Sequence, residues 1–369
     1  MKAAVVYEFG TPIQVVDATP GAVGPHDVRV QVRASGLCHS DVAVQTGELP
    51  FPLPMVLGHE GAGVVVEAGD AVTTCAVGDH VVLSALIHCG QCTNCLKGRP
   101  NLCMWGLETI FSGTNANDRA LRATDPEGNG LYQFASIGTL AEELICSEKH
   151  AVPIPDDVPF EAAALTGCGV LTGVSAVFNR AGVQPGSSVV VIGCGGVGLN
   201  VVQATAMANA ATIIAVDLHD AKLAMAREFG ATHTIRNDDA EATVAQVFDL
   251  TGGEGANYAF EVVGVPPLVR LAWDCLRVDG TLVAIGVHPA GSTVALPAEQ
   301  FATTEKTLMS CLYGTSRPTK DIPMLVDMFR QDRIRLNELV THHFALEDIN
   351  DAVAKMENGR DARGVVLFD

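Results

Sequence analysis

VVVIGCGGVGLN, Val189 to Asn200, opens on four apolar, mostly β-branched residues and then sets Gly193, Gly195 and Gly198 in the spacing G-x-G-x-x-G. A short apolar run of this kind reads as a buried strand. By itself the glycine triplet is weak, because glycines also serve ordinary tight turns. The chain downstream strengthens it: nineteen residues after Gly198 a second apolar run, TIIAV, ends in Asp217. Strand, glycine turn, helix, strand and acidic residue form the layout that sets a pyrophosphate on a helix N-terminus. The backbone of Gly193, Gly195, Gly196, Val197 and Gly198 would approach the phosphates, and Asp217 would accept from the ribose hydroxyls. A carboxylate there repels a 2′-phosphate, so NAD is favoured over NADP. Lys222, five residues on, either reaches the same ribose or is a helix-surface lysine.

Outward from this motif the texture is consistent. SSVVVIG, TIIAVD, THTI, NYAFEVVG and TLVAIGV read as strands, with helical segments such as HDAKLAMAREFG between them. Such alternation implies an α/β unit with a parallel sheet covered on both faces. Just before it, EAAALTGCGVLTGVSAVF (161–178) spaces small and apolar residues as one buried helix would. From about residue 25 to 150 the chain is instead a series of β runs, DVRVQVRAS, GAGVVVEAG and DHVVLSAL, broken by Gly and Pro. Beyond about residue 312 come helices (DIPMLVDMFRQ, LEDINDAVAKMENG) and a last strand, RGVVLF, which should return to the β-rich part. The expected domains are 1–169 with 313–369, and 170–312.

A chain of 369 residues exceeds what one core usually fills, which also argues for two domains. Its net charge of −19 would repel phosphate backbones and anionic lipid, so neither nucleic acid nor a membrane surface is expected as a partner. No apolar run is long enough to span a bilayer, and MKAAVVYEFG lacks the layout of a secretion signal; the expected compartment is the cytoplasm.

Eleven cysteines are too few for a disulfide scaffold in a chain of this length, yet Cys89, Cys92, Cys95 and Cys103 crowd into fifteen positions as C-x2-C-x2-C-x7-C. Four thiolates close a tetrahedron around one zinc and leave no place for substrate. An iron–sulfur cluster accepts the same number and stays a minor alternative. Elsewhere, GLCHSD offers Cys38, GHEGAG offers His59 beside Glu60, and LTGCGVLTG offers Cys168. Two thiolates and an imidazole would leave a fourth zinc position open, as catalysis requires. On residue types alone, a lone buried cysteine or histidine serves packing as readily. Cys75, Cys146, Cys194, Cys275 and Cys311 read as small apolar fillers.

Through GLCHSD, GHEGAGVVVEAGDAV, the cysteine lobe, GCGVLTG and IGCGGVG, in that order, the chain resembles the zinc-dependent medium-chain alcohol dehydrogenases. The resemblance implies a GroES-like β-rich catalytic domain plus a Rossmann doubly wound domain, two zinc ions per chain, and zinc-assisted oxidation of a primary alcohol to an aldehyde by NAD, or the reverse. It makes Cys38, His59 and Cys168 the catalytic zinc ligands, with Glu60 an alternative or supporting carboxylate. It further implies that Asp41 holds the His59 tautomer, that Ser40 takes the alcohol proton, and that His39 and Arg363 meet the cofactor pyrophosphate. Thr172 and Val287 become further cofactor contacts. Two departures stand out. Ala43 occupies the position of the histidine that usually continues the proton relay, and Ala85 falls where many relatives carry an aromatic side chain lining the substrate pocket. The second predicts room for bulky aromatic or terpenoid alcohols. The long segment Leu107–Phe134 is similar to that of class III and actinobacterial nicotinoprotein enzymes. This raises thiol-dependent formaldehyde oxidation as an alternative activity and leaves open whether NAD is exchangeable or permanently held. Relatives of this kind are homodimers or homotetramers. A non-catalytic zinc-binding protein would account for the cysteine lobe but not for the separate Cys38, His59 and Cys168 set.

Overall fold

The computed structural model describes every residue except 358, 360 and 361. Its backbone divides into two compact units, Met1–Leu171 with Arg317–Asp369, and Thr172–Ser316.

The first unit is organised by the strand Asp27–Gly36, in which Val28, Val30, Val32 and Ala34 are fully buried at alternate positions. That period of two puts one face of the strand in the core. Asp27–Gly36 pairs antiparallel with Glu60–Ala68, Glu143–Ser147 and Arg363–Leu367. Two register pairs matter most for the site: Gly36 lies opposite Glu60, and Val365 opposite Gly36. The sheet therefore brings residue 60 and the C-terminal strand beside the chain that leads into Cys38. His80–Ser84 and Ala151–Ile154 extend one side and Val340–Phe344 the other. A smaller four-stranded sheet orders Gln14–Asp17, Lys2–Val6, Met55–Val56 and Tyr132–Gln133. The predicted terminal helix (346–359) runs as Ile349–Glu357, and its residue 358 lies outside those described.

In the second unit six parallel strands, Ser188–Ile192, Thr212–Asp217, His233–Arg236, Ala256–Glu261, Leu276–Ala284 and Thr307–Ser310, lie in the order 3-2-1-4-5-6. Val189, Val190 and Val191 are wholly buried, as expected of a central strand covered on both faces. This is the doubly wound order that binds a dinucleotide outside the carboxyl ends of the strands, where the order reverses.

One local expectation fails. The segment 161–178 is not one helix: Phe160–Leu165 stops, and a new helix starts at Gly169. Thr166 turns its hydroxyl back onto the Ala163 carbonyl oxygen at 2.6 Å. A side chain on Gly167 would come within 2.6 Å of the Leu83 carbonyl oxygen, so the turn presses against the strand. Cys168 sits in that break, where a continuous helix would have packed it as one more apolar side chain.

Candidate active site and metal centres

Cys38 precedes the helix His39–Thr46, whose third residue is Asp41. The Asp41 carboxylate is fully buried and fully used. Its Oδ2 accepts from the Cys38 backbone N–H at 3.0 Å, and its Oδ1 accepts from the Gly58 N–H at 2.9 Å and faces His59 Nδ1 at 3.3 Å. One side chain thus fixes the backbone at Cys38 and at Gly58, the residue before His59, and assigns the imidazole proton to Nδ1. His59 Nε2 is left buried with no hydrogen bond. Phe134 packs against the imidazole in an edge-to-face arrangement, with ring centroids 4.9 Å apart.

One donor atom each from Cys38, His59, Glu60 and Cys168 lies within 4.8 Å of the others. Glu60 is buried; its Oε1 forms an ion pair with Arg363, whose guanidinium also donates to the Leu37 carbonyl oxygen at 3.2 Å, while Oε2 has no partner. Arg363, expected at the cofactor pyrophosphate, is only 7% exposed and stands at this cluster. The close fit explains two glycines: a Cβ on Gly36 would lie 2.5 Å from Glu60 Oε2, and one on Gly169 would lie 2.0 Å from the Arg363 guanidinium.

The electrostatics suit a cation. A hydrogen bond from the Cys168 thiol leads, against burial, in holding the Cys38 thiol well below its usual range, and His59 and Arg363 add to it. Burial opposes a proton on His59, but Asp41 and then Cys38 outweigh it and hold the imidazole well above its ordinary value. Burial lifts Glu60 to about 7 in spite of Arg363. These protons occupy places that a divalent ion would take on binding. With two sulfurs and an orphaned imidazole nitrogen directed together, the residues fit zinc.

The second cluster differs in kind. Cys92 Sγ and Cys95 Sγ are 3.5 Å apart and Cys103 Sγ and Cys89 Sγ 3.6 Å, with all four sulfurs within 4.8 Å of one another. A zinc tetrahedron with the usual sulfur bond length has an edge of about 3.8 Å, so the lobe is sized for that ion and too open for disulfides. Backbone N–H groups of Cys89 and Cys92 point at Cys103 and Cys89 sulfurs at 3.3 and 3.4 Å. A hydrogen bond from the Cys95 backbone leads in bringing the Cys92 thiol down to about 6. Of the expected filler cysteines, Cys146, Cys194 and Cys275 are buried, and Cys75 and Cys311 are partly exposed.

In the second unit Gly193 has φ +97°, and a Cβ on Gly198 would fall 1.8 Å from the Gly193 carbonyl oxygen, so the helix Gly196–Met207 can start this close to the strand only without side chains. At Gly195 an added Cβ meets nothing within 4 Å. Backbone N–H groups at a helix start with open space before them suit a pyrophosphate. Asp217 Oδ2 accepts from the Cys194 N–H at 2.8 Å and Oδ1 from the His219 N–H at 3.0 Å, tying the second strand to the glycine turn. Lys222 is partly buried on the helix Asp220–Glu228. Thr172 is buried, and Val287 is 61% exposed. In the first unit, His39 is exposed at the start of its helix, and Cys38 Sγ lies 3.8 Å from Ser40 Oγ.

Sequence reasoning missed the aromatic wall beside His59. Phe51 stacks on Phe111 at 5.6 Å between centroids and meets Phe134 edge-on at 5.1 Å. Phe51 lies on a loop, Phe111 on the helix Met104–Ser112 and Phe134 at the start of a short turn, and no spacing rule connects them.

The strand order of the second unit and the two unlike thiolate clusters of the first narrow the class to zinc-dependent oxidoreductases that use a dinucleotide. Residues 24–156 match the alcohol dehydrogenase GroES-like domain and residues 196–331 the zinc-binding dehydrogenase domain. The chain belongs to the zinc-dependent medium-chain alcohol dehydrogenases and is an NAD-dependent enzyme of that family. It is 36% identical to S-(hydroxymethyl)glutathione dehydrogenase of Paracoccus denitrificans over all of this chain and 99% of that protein. It is also 36% identical to NDMA-dependent alcohol dehydrogenase of Amycolatopsis methanolica, over 99% of this chain and 98% of that one. The crystal structure of benzyl alcohol dehydrogenase from Acinetobacter calcoaceticus superposes with a TM-score of 0.91 at 33% identity, covering all of this chain and 99% of the other.

Proposed function

We propose that this enzyme oxidises bulky primary alcohols, aromatic or terpenoid, with Cys38, His59 and Cys168 holding the catalytic zinc and the glycine turn holding NAD. When bound, zinc supplies Lewis acidity toward the substrate oxygen and NAD accepts the hydride. Asp41 keeps the His59 proton on Nδ1, so Nε2 stays free to ligate. Glu60, neutralised on one oxygen by Arg363, keeps the other beside the ligands as a supporting carboxylate. Ser40 Oγ is the hydroxyl that takes the alcohol proton. Because residue 43 is alanine, water or another base carries that proton onward. His39 and Thr172 serve the cofactor, as do Asp217, Lys222 and Val287. Cys89, Cys92, Cys95 and Cys103 hold a second zinc whose role is to fix their own lobe.

The observation that carries the substrate reading is the wall Phe111–Phe51–Phe134 leading to His59; Ala85, fully buried, has a methyl where the family resemblance implies a ring. Rings prefer edge-on or offset partners, and a buried aromatic substrate gains on the order of 2 kcal/mol over a two-carbon one. The expected result is a kcat/KM with NAD at least roughly tenfold higher for benzyl alcohol than for ethanol; comparable values for the two refute it. On Cys38→Ser the same panel should give no alcohol oxidation. Thiol-dependent formaldehyde oxidation is the second reading, favoured by the name of the Paracoccus relative. Against it, the sequence offers no convincing set of cations for an anionic thiol adduct, and the segment GELPFPLP (47–54) is apolar but for Glu48 where class III enzymes carry acidic residues. Turnover of S-(hydroxymethyl)glutathione above that of benzyl alcohol would reverse the ranking. We also propose a homo-oligomer built through the last strand of the nucleotide-binding sheet.

A further inference from the structure

Glu261 ends the fourth strand of the nucleotide-binding sheet and is fully buried. Its Oε1 accepts from the N–H groups of Val263 and Gly264, each at 2.8 Å, but its Oε2 has no hydrogen-bond partner. Such a group asks for an explanation, because a buried lone carboxylate oxygen is costly. His288 Nε2 lies 3.9 Å from that oxygen, beyond hydrogen-bond reach, so the two act on each other through charge. His288 Nδ1 is also buried and unpartnered.

The pair is rigidly set. Ile285 donates its N–H to the Glu261 carbonyl oxygen at 2.8 Å. A Cβ on Gly264 would lie 2.3 Å from the Val287 carbonyl oxygen, and one on Gly286 would lie 2.0 Å from the Gly264 nitrogen, so the two strand-end loops touch backbone to backbone. Both loops leave the carboxyl ends of the fourth and fifth strands. In a sheet of order 3-2-1-4-5-6, the first three strands serve one mononucleotide and the last three the other. With Asp217 on the adenosine ribose, the Glu261–His288 pair falls to the nicotinamide half.

Hydride transfer changes charge there, since the oxidised ring is cationic and the reduced ring neutral. A fixed carboxylate favours the oxidised form, and a proton on a neighbouring imidazole cancels that preference. We propose that Glu261 and His288 form an electrostatic contact of the nicotinamide half that discriminates NAD⁺ from NADH, with Glu261 favouring NAD⁺ and a proton on His288 opposing it. The segments Val262–Val265 and Ile285–Val287 bring no charged side chain to the pair. Other titratable side chains on the surrounding elements are Cys194 on the glycine turn, Cys311, whose N–H bonds the Ala284 carbonyl oxygen, Tyr258 on the strand of Glu261, and Arg270 and Asp274, which pair with each other on the helix Pro266–Asp274. The strand Leu276–Ala284 carries Arg277 and Asp279 at its opposite end.

The inference rests on the glycine turn holding NAD, and its test separates the two. Dissociation constants for NAD⁺ and NADH are measured by calorimetry at pH 6 and pH 9 on the intact enzyme, on Glu261→Gln and on His288→Gln. Glutamine at 261 still accepts from Val263 and Gly264, so the loop keeps its shape. The expected result is a preference for NAD⁺ over NADH that is greater at pH 9 in the unaltered protein. Glu261→Gln should lose about tenfold of that preference at pH 9 and keep a pH slope set by His288. His288→Gln should be flat with pH, at the high-pH value. An unchanged ratio in Glu261→Gln, or a pH slope that survives in His288→Gln, overturns the proposal and leaves the pair a mere brace. Failure of the unaltered protein to bind either nucleotide would sink the nucleotide assignment and this inference together.

Discussion

At the scale of single residues, Asp41 is where one change should do most without touching a ligand. Its two oxygens hold the Cys38 N–H, the Gly58 N–H and His59 Nδ1. Asp41→Asn keeps the shape but turns one acceptor oxygen into a donor and removes the negative charge behind His59 Nδ1, so at least one of these contacts is lost and the imidazole is held less firmly. The zinc affinity of the Cys38 site should fall roughly 10- to 100-fold, with a parallel fall in kcat/KM. Metal analysis against a graded chelator checks this; full zinc retention in the variant would show that Asp41 is only a helix-start residue. Asp41 was legible only through the family resemblance carried by GLCHSD, although its contact with the Cys38 N–H is local in sequence. The placement of Arg363 was not legible, since residues 60 and 363 meet through strand register: Gly36 pairs with both Glu60 and Val365. No pattern within either segment encodes that meeting. Phe134 was equally silent, because an aromatic residue in a turn looks the same whether it packs on a histidine or on a core.

Among the elements, the cysteine lobe was the most legible, since four ligands within fifteen residues must face one point whatever the rest of the chain does. The part of the lobe around Cys92 and Cys95 has little else to hold it: the helix Thr93–Leu96 buries no residue, and buried side chains begin only at the turn Pro100–Leu102, with Pro100 and Asn101. Asn94 donates to the Leu102 carbonyl oxygen at 2.6 Å and Arg317 to that of Gly98 at 2.9 Å. Metal should therefore supply most of its order. Cys95→Ser should bind one zinc per chain instead of two and melt at least several degrees lower, while the surviving ion stays at the Cys38 site. Calorimetry with metal analysis reads both; an unchanged melting temperature with one zinc lost would make the lobe an ornament on a self-sufficient loop. The segment 161–178 teaches the opposite lesson. Its small apolar residues carry a helical period throughout, yet Gly167 and Thr166 break it to deliver Cys168. Periodicity records which face is buried and is blind to a break that a ligand position requires.

For the whole molecule, the alternation of strands and helices after residue 187 made the parallel sheet readable, but its edges become visible only once the order is known. One edge strand, His233–Arg236, is guarded by charge: Arg236 is paired with Asp220 and Asp238. The other, Thr307–Ser310, has no charged residue, and Leu308 is 45% exposed, with Phe301 and Leu312 also exposed nearby in sequence. An uncharged, apolar edge with open N–H and C=O groups invites a strand from another chain, and a two-fold axis lets the same strand pair with its own copy. The enzyme should therefore sediment as a dimer or a dimer of dimers. Leu308→Lys would put like charges face to face across the axis and should raise the dimer dissociation constant by at least about a hundredfold, the cost of burying an unpaired cation. A net charge of −19 on each chain opposes association through long-range repulsion, so for the unaltered protein the dimer should tighten as salt rises from low ionic strength to physiological. Analytical ultracentrifugation across salt reads all three expectations. A monomer at micromolar concentration, or a dimer indifferent to lysine at 308, would move the interface away from this edge.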